Sequence, residues 1–404
     1  MAGAKPVPIQ LLSTANFRRA WLIGGLGGTV RWLEMLSISV FTFDLTGSPL
    51  WVALLMVVRM LPMVLFGSIV GAYADRFNRK YLLVIGLAVV AGTSATLAAL
   101  ALSDLLMLWH VALGAFLSGT YFSTEFPVRR TVLAELAGEA NAGTAMALDS
   151  ATNNATRAAG PLLGGIIYQT IGLEGAYLVG TCIHITSLLL AVSLIYTPVI
   201  RVSTQSNLLG ELIEGLRYAK ENRRILGTLL ITAIINMWGF PFATMVPVLG
   251  RDDLALSPSW VGFLASAEGT GAFVGALLIA WFAKPRHYGA LYVLGSLAFL
   301  FAIWAFSHSG DLSTAWTILV TGGLGIAGFA AMQSTILLTS AAPEYRSRIM
   351  GLLAVCIGAG PIGVFHIGVL AEWFGARQAM AIMSVEGLLA LTLTFRLWAP
   401  LLRR

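Results

Sequence analysis

The chain has 404 residues, 57% of them hydrophobic and 11% charged, with a mean hydropathy of +0.83 and a formal net charge of +6. Water-soluble domains are about a quarter charged, so this composition excludes a soluble globular protein and describes a membrane protein. A net positive charge points to nucleic acid in a soluble chain, but here it is confined to narrow intervals between apolar runs, and no nucleic-acid partner is expected.

Taken in order, Lys5 and Arg18-Arg19 precede the first apolar run without the small-residue cleavage pattern of a signal peptide, so the N-terminus is expected to be retained, inside the cell. A helix needs ~20 apolar residues to cross a bilayer. Runs of that kind predict twelve spans, at 20–45, 50–73, 82–103, 106–127, 142–170, 173–196, 225–250, 259–283, 288–308, 312–340, 348–372 and 376–398. Between the second and third lies Gly71-Ala-Tyr-Ala-Asp75-Arg76-Phe-Asn-Arg79-Lys80, whose three cations place the loop on the cytoplasmic side. With that orientation 20 of the 25 Lys and Arg residues fall inside, only Arg251 and Arg377 fall outside, and Arg31, Arg59 and Arg157 lie within spans. A miscount of one span would scramble this partition, so both termini are expected in the cytoplasm.

The longest polar interval, 197–224, separates six spans from six and contains Leu208, Leu209, Leu212, Ile213 and Leu216 at helical spacing, which predicts an amphipathic surface helix. The expected organisation is a six-helix bundle over 1–196, a cytoplasmic linker over 197–224 and a second bundle over 225–404. The halves also repeat. Ser48-Pro49-Leu50-Trp51-Val52 opens the second span and Ser257-Pro258-Ser259-Trp260-Val261 opens the eighth, 209 residues later. Gly160-Pro161-Leu162-Leu163-Gly164 in the fifth span echoes Gly360-Pro361-Ile362-Gly363 in the eleventh. Matched landmarks at matched spans argue for a duplicated six-helix unit, as in transporters whose halves rock about a central site.

The pattern Gly71-x-x-x-Asp75-Arg76-x-x-Arg79-Lys80, at this place in a duplicated twelve-span chain, resembles the major facilitator superfamily over essentially its full length. Leu45-Thr46-Gly47-Ser48-Pro49-Leu50-Trp51, Gly160-Pro161-Leu162-Leu163-Gly164-Gly165 and Glu214-Gly215-Leu216-Arg217-Tyr218 are similar to the branch with the enterobactin exporter and the macrolide-efflux proteins. The resemblance implies an all-α membrane protein of two pseudo-symmetric six-helix bundles. Gly160, Pro161, Gly164 and Gly165 also resemble the antiporter signature of family exporters, although Thr156 stands where that signature prefers glycine. In the resembled family the acid of the first loop meets the start of span eleven when the inside is shut. That would set Asp75 near Ser347-Arg348-Ile349 and make Gly71, Asp75, Arg76, Arg79 and Lys80 a cytoplasmic gate. The counterpart loop, Ala280 to His287, keeps the cations but lacks the acid.

A charge within the bilayer costs at least ~2.5 kcal/mol, so each one is a functional candidate. Arg31 and Glu34, three apart in span one, share a helix face and could neutralise each other, either as a structural pair or with Glu34 as a proton acceptor tuned by Arg31. The resembled branch usually has a small residue and an acid here. Asp149, Asn153 and Arg157 form one polar stripe on span five, which must face a cavity or a neighbouring helix. Arg157 is a candidate for substrate contact or for pairing with an acid such as Glu34. Asp149, and Glu125 at the end of span four, are placed with the gate. Arg59 corresponds to Glu268 under the offset of 209, so these two are expected either to pair between halves or to be solvated separately. Glu386 in span twelve reads as a structural acid, and His184 and His366 read as core histidines or, less readily, proton relays. Trp32, Trp238, Phe240 and Phe242 line a cavity or simply pack. Cys182 and Cys356 lie in spans with no partner at useful spacing and are expected to be buried small hydrophobes.

Two motifs carry no chemistry. Gly323-x-Gly325-x-x-Gly328 lies inside a span with no strand before it, so no dinucleotide is expected. Gly24-x-x-x-Gly28 reads as close helix packing. There is no Walker-type loop, no metal-ligand set and no nucleophile with a base, so neither an enzyme nor a cofactor is expected. The expectation is a monomeric, multi-pass secondary transporter of a bacterial inner membrane. It would export an amphipathic or hydrophobic compound of siderophore or drug type in exchange for protons by alternating access. A lipid or lysolipid translocator of the same fold is the alternative, and small molecule, protons and membrane lipid are the expected partners.

Overall fold

The computed structural model describes residues 7–74, 77–196 and 208–402, with residues 67–74 and 208–209 as backbone only, and all the regular structure among them is helical. After a short α1 (Val7–Ser13) come α2 (Ala15–Thr46), α3 (Pro49–Ala74), α4 (Arg79–Leu102), α5 (Leu108–Ala137), α6 (Ala142–Ile171) and α7 (Leu173–Val192). The linker helix α8 (Leu208–Glu221) leads to α9 (Arg223–Ile234), a π-helical turn (Ile235–Gly239) and α10 (Phe242–Arg251), which together make one span. Then follow α11 (Pro258–Phe282), α12 (Tyr288–Ser307), α13 (Leu312–Ser340), α14 (Arg346–Ile357), α15 (Gly360–Phe374), α16 (Ala376–Leu393) and α17 (Phe395–Trp398).

Among the described residues, eight segments are long and apolar enough to cross a membrane, and α16 joins them only with its continuation to Leu402, bent by 63°. The helices left out are α2, α5 and α6, because they carry the polar residues. Glu34, Arg129 and Asp149 sit on these three helices, and all three side chains are buried. Among the long helices, the three of lowest hydropathy thus carry these buried charges.

The chain divides into two compact units, one of residues 1–41 and 58–204, the other of residues 42–57 and 205–404. In the first, α6 approaches α2 through Gly160 and Gly164, where a Cβ would run into Trp32 and the Leu33 backbone. Thr156 finds its room at Gly28, which answers the missing glycine of the exporter-like signature. In the second unit, Gly323 on α13 abuts the Glu268 carbonyl of α11, while Gly325 and Gly328 abut the Gly295 and Leu291 carbonyls of α12. The formal dinucleotide motif is therefore a set of helix contacts. Gly363 plays the same part against Met237 of the π-helical turn.

Local chemistry accounts for the helix ends. Pro49 and Pro258 start α3 and α11, a position where a missing N–H is no loss. Asp311 caps α13, and hydrogen bonds from the Ser313 hydroxyl and the Thr314 amide hold its carboxyl down at about 2. The linker helix is not merely a surface element. Tyr218 stacks on Tyr345 with ring centroids 4.1 Å apart, and its hydroxyl oxygen accepts the Ala342 N–H at 3.1 Å. Glu214 pairs with Arg348 at 3.1 Å, and Gly215 lets α8 close on Arg348. Cys182 is exposed, contrary to the expectation of a buried small hydrophobe, because the described residues leave its side of α7 uncovered; Cys356 is partly buried.

A candidate functional site in the first unit

The first unit holds a cavity of about 40 Å³. Its charged and polar lining comes from five helices: Arg31 and Glu34 from α2, Arg59 from α3, Tyr121, Glu125 and Arg129 from α5, Asn153 from α6 and His184 from α7. Glycines 24, 27 and 28 of α2 also face it, so the backbone of α2 leaves the space that side chains would fill.

Arg31 and Glu34 do not form the ion pair that their spacing allows. The Arg31 guanidinium donates to Asn153 Oδ1 at 2.8 Å and lies over the rings of Phe122 and Trp32, 4.4 and 5.0 Å from their centroids. Trp32 also carries Arg157, at 5.5 Å. The aromatic faces supply part of the field that water would otherwise supply. Helical spacing fixes which residues share a face, but the reach of a long side chain decides its partner. Glu34, only 3% exposed, accepts the Ser94 hydroxyl at 3.2 Å and interacts electrostatically with Arg59. Ser94 in turn lies 3.4 Å from His184 Nδ1, so the histidine joins a short polar chain ending at the carboxylate. Among the described residues, Arg31 Nε, Arg59 Nη1 and Tyr121 Oη have no hydrogen-bond partner.

A second layer of charge borders the cavity. Arg129 bridges Glu125, four residues back on α5, and Asp149 on α6, and Arg130 reaches the other Asp149 oxygen at 2.8 Å. Gly24 leaves room for the Arg129 guanidinium, which is more specific than the helix packing expected of Gly24 and Gly28. Glu125 and Asp149 stand out by position, whereas Arg129 and Arg130 fall beyond the predicted span 106–127. The apolar run ends near Pro127, but α5 continues through it to Ala137. The spacing of four between Glu125 and Arg129 was the available signal.

Of the gate residues, Gly71 lies in the last turn of α3, while Asp75 and Arg76 lie outside the described residues. Arg79 is buried and pairs with Glu135 at 2.8 Å, with Tyr196 hydrogen-bonded to both. The Lys80 N–H is capped by Asn78 Oδ1 at 3.0 Å. Nothing in the sequence marked Glu135 or Tyr196. Arg59 and Glu268 belong to different units, and Glu268 is buried on α11. In the second unit Phe242 is buried in the core against Phe299, and partly buried Phe240 packs on the same ring. Glu386 accepts the Trp238 indole N–H at 2.9 Å and lies 3.7 Å from His366 Nδ1.

Comparison with known proteins places this arrangement. The chain is 25% identical over 366 residues to an uncharacterized MFS-type transporter, YfiS, of Bacillus subtilis, covering 87% of this chain and 85% of the relative. It is 20% identical to macrolide efflux protein A of Streptococcus pyogenes, covering 85% and 86%. It is also 20% identical to the staphyloferrin A transporter of Staphylococcus aureus, covering 88% and 89%. The fold matches the crystal structure of a bacterial homolog of the human lysosomal transporter Spinster in an inward-facing, unoccupied conformation, with a TM-score of 0.76 at 16% identity over 99% of both chains. A family profile described as transmembrane secretion effector matches residues 7–402, and the chain belongs to that family of major facilitator transporters.

Proposed function

We propose that the protein is a secondary active exporter of an amphipathic or hydrophobic organic compound, driven by proton exchange, in a bacterial cytoplasmic membrane. The relatives' names, which speak of macrolide efflux and staphyloferrin A transport, support the direction and the compound class. The observation that carries the proton coupling is Glu34. An ionised carboxylate in the bilayer is costly, so an acid kept there is expected to change its protonation in the transport cycle. Glu34 has Arg59 to favour its charged form and the Ser94 hydroxyl to bond it. It also lines a cavity with room for about two or three waters. The donors of Arg31, Arg59 and Tyr121 can orient such waters into a proton path. Buried Glu268 is the second candidate for coupling, and Arg157 and Asn153 are candidates for substrate contact.

The same reading makes the loop from Gly71 to Lys80 the cytoplasmic gate, sets both termini in the cytoplasm and takes the monomer as the working unit. The lipid or lysolipid alternative has no observation in its favour. Vesicles reconstituted with the protein and loaded with a pH-sensitive dye test the proposal. Adding exported compounds to energised vesicles should dissipate the pH gradient, and a library of amphipathic compounds that leaves the gradient intact would defeat it.

A further inference from the structure

The cavity of the first unit is lined by more donors than its own acceptors take up. Among the described residues, Arg31 Nε, Arg59 Nη1 and Tyr121 Oη have no hydrogen-bond partner, although each atom is shut off from solvent and all three residues line the same cavity. They come from α2, α3 and α5, so the tertiary fold gathers them. A buried donor left unbonded forfeits its hydration without return, and a charged one forfeits most. The acceptors nearby are engaged: Asn153 Oδ1 takes Arg31 Nη2, Glu34 takes the Ser94 hydroxyl, and Glu125 takes Arg129.

Charge points the same way. Arg129 sits between Glu125 and Asp149, and Arg59 has Glu34 as its opposite charge. Among the described residues Arg31 forms no ion pair: it bonds the neutral Asn153 side chain and lies over Phe122 and Trp32. Arg59, Arg157 and Arg129 act on it as like charges, against Glu125 as the opposite one. Cations within a bilayer are ordinarily paired. The space is that of two or three waters, too small for an amphipathic compound. We propose that this cavity is a site for one compact monovalent anion, chloride in the cell, held by Arg31, Arg59 and Tyr121. Such an ion accepts several N–H and O–H bonds at once, so it satisfies the three donors and neutralises Arg31. It takes the place of one of the waters that the exporter reading assigns to these donors.

The site also bears on coupling. Glu34 lines the same space, so its negative charge opposes the anion and its protonation removes that opposition. Proton and anion therefore favour each other's binding by the same factor. This linkage rests on the exporter reading, whereas the site itself does not. The other charged or titratable groups lining the space are Glu125 and Arg129 of α5 and His184 of α7, with Asp149 and Arg157 of α6 and Tyr177 of α7 behind them; α4 brings only Val90 to the lining and Ser94 to Glu34. Because His184 can also gain a proton as pH falls, pH alone does not isolate Glu34, and Glu34→Gln does.

The test is equilibrium binding of radiolabelled chloride to the full chain in phosphatidylcholine nanodiscs, at constant ionic strength balanced with gluconate. One saturable site per chain should appear, displaced by bromide but not by gluconate, which is too large for the cavity. Arg31→Gln and Arg59→Gln should each weaken it at least about tenfold, and Tyr121→Phe, which removes a single hydroxyl, about threefold. Glu34→Gln should tighten it about threefold or more. Arg223→Gln with Arg224→Gln, two exposed cations at the start of α9, should leave it unchanged. Crystals grown in bromide should show its anomalous signal against Arg31 and Arg59, a readout that needs no variant. Absence of saturable binding, displacement by gluconate, binding kept in Arg31→Gln but lost in the α9 variant, or bromide on the surface alone would overturn the proposal. Weaker binding in Glu34→Gln would overturn the linkage. A chain that binds chloride as described yet exchanges no protons would defeat the exporter reading and leave the site standing; proton exchange without chloride binding would do the reverse.

Discussion

Arg129 is held between two buried carboxylates, Glu125 and Asp149, with Gly24 leaving space for its guanidinium. Removing the cation strands Glu125 and leaves Asp149 only the partly exposed Arg130, so Arg129→Met should destabilise the protein by about 3–5 kcal/mol in thermal unfolding. Gly24→Ala introduces a methyl where the guanidinium lies and should cost about 1–3 kcal/mol while every charge remains. If Gly24→Ala were neutral, the close approach of α2 to Arg129 would be wrong. Sequence reading reached Glu125 and Asp149 because an acid near a span is conspicuous, and it missed Arg129 because two arginines beside a proline look like a loop. Hydropathy reports where the apolar run stops, not where the hydrogen-bonded helix stops. The same limit explains Arg31, placed on the face of Glu34 by periodicity but bonded to Asn153 on another helix.

At the scale of elements, most helices were legible as long apolar runs, although α2, α5 and α6 are too polar to qualify on hydropathy, and the Ser-Pro landmarks proved to be helix starts. Breaks within spans were not legible. The π-helical turn at Ile235–Gly239 and the interruption between α14 and α15 follow no drop in hydropathy. The linker illustrates a different limit. Its amphipathic pattern predicted a helix, but a pattern does not name the surface that the helix meets, and Tyr218 and Glu214 turned out to fasten it to Tyr345 and Arg348. Tyr218→Ala should therefore weaken the docking of α8 by about 0.5–1.5 kcal/mol beyond the lost area. Hydrogen exchange over residues 210–221 should accelerate, with α11 to α13 unchanged; unaltered exchange in α8 would show that the stack does not hold it.

For the whole molecule, the charge partition of the sequence gives an expected topology, and the family profile over residues 7–402 sets the class of protein. The proposed orientation predicts that a reporter fused to the C-terminus is active only when it works in the cytoplasm. The gate reading predicts that Asp75→Asn weakens the inside-closed state and alters transport without abolishing substrate binding; lost binding with an unchanged conformational equilibrium would contradict it. The central claim is that a proton on Glu34 drives transport. Its most direct measurement is flux driven by a pH gradient in proteoliposomes, comparing the native chain with Glu34→Gln. The account predicts that Glu34→Gln lowers gradient-driven flux at least about tenfold while substrate exchange at equal pH persists. Gradient-driven flux equal to that of the native chain would contradict it.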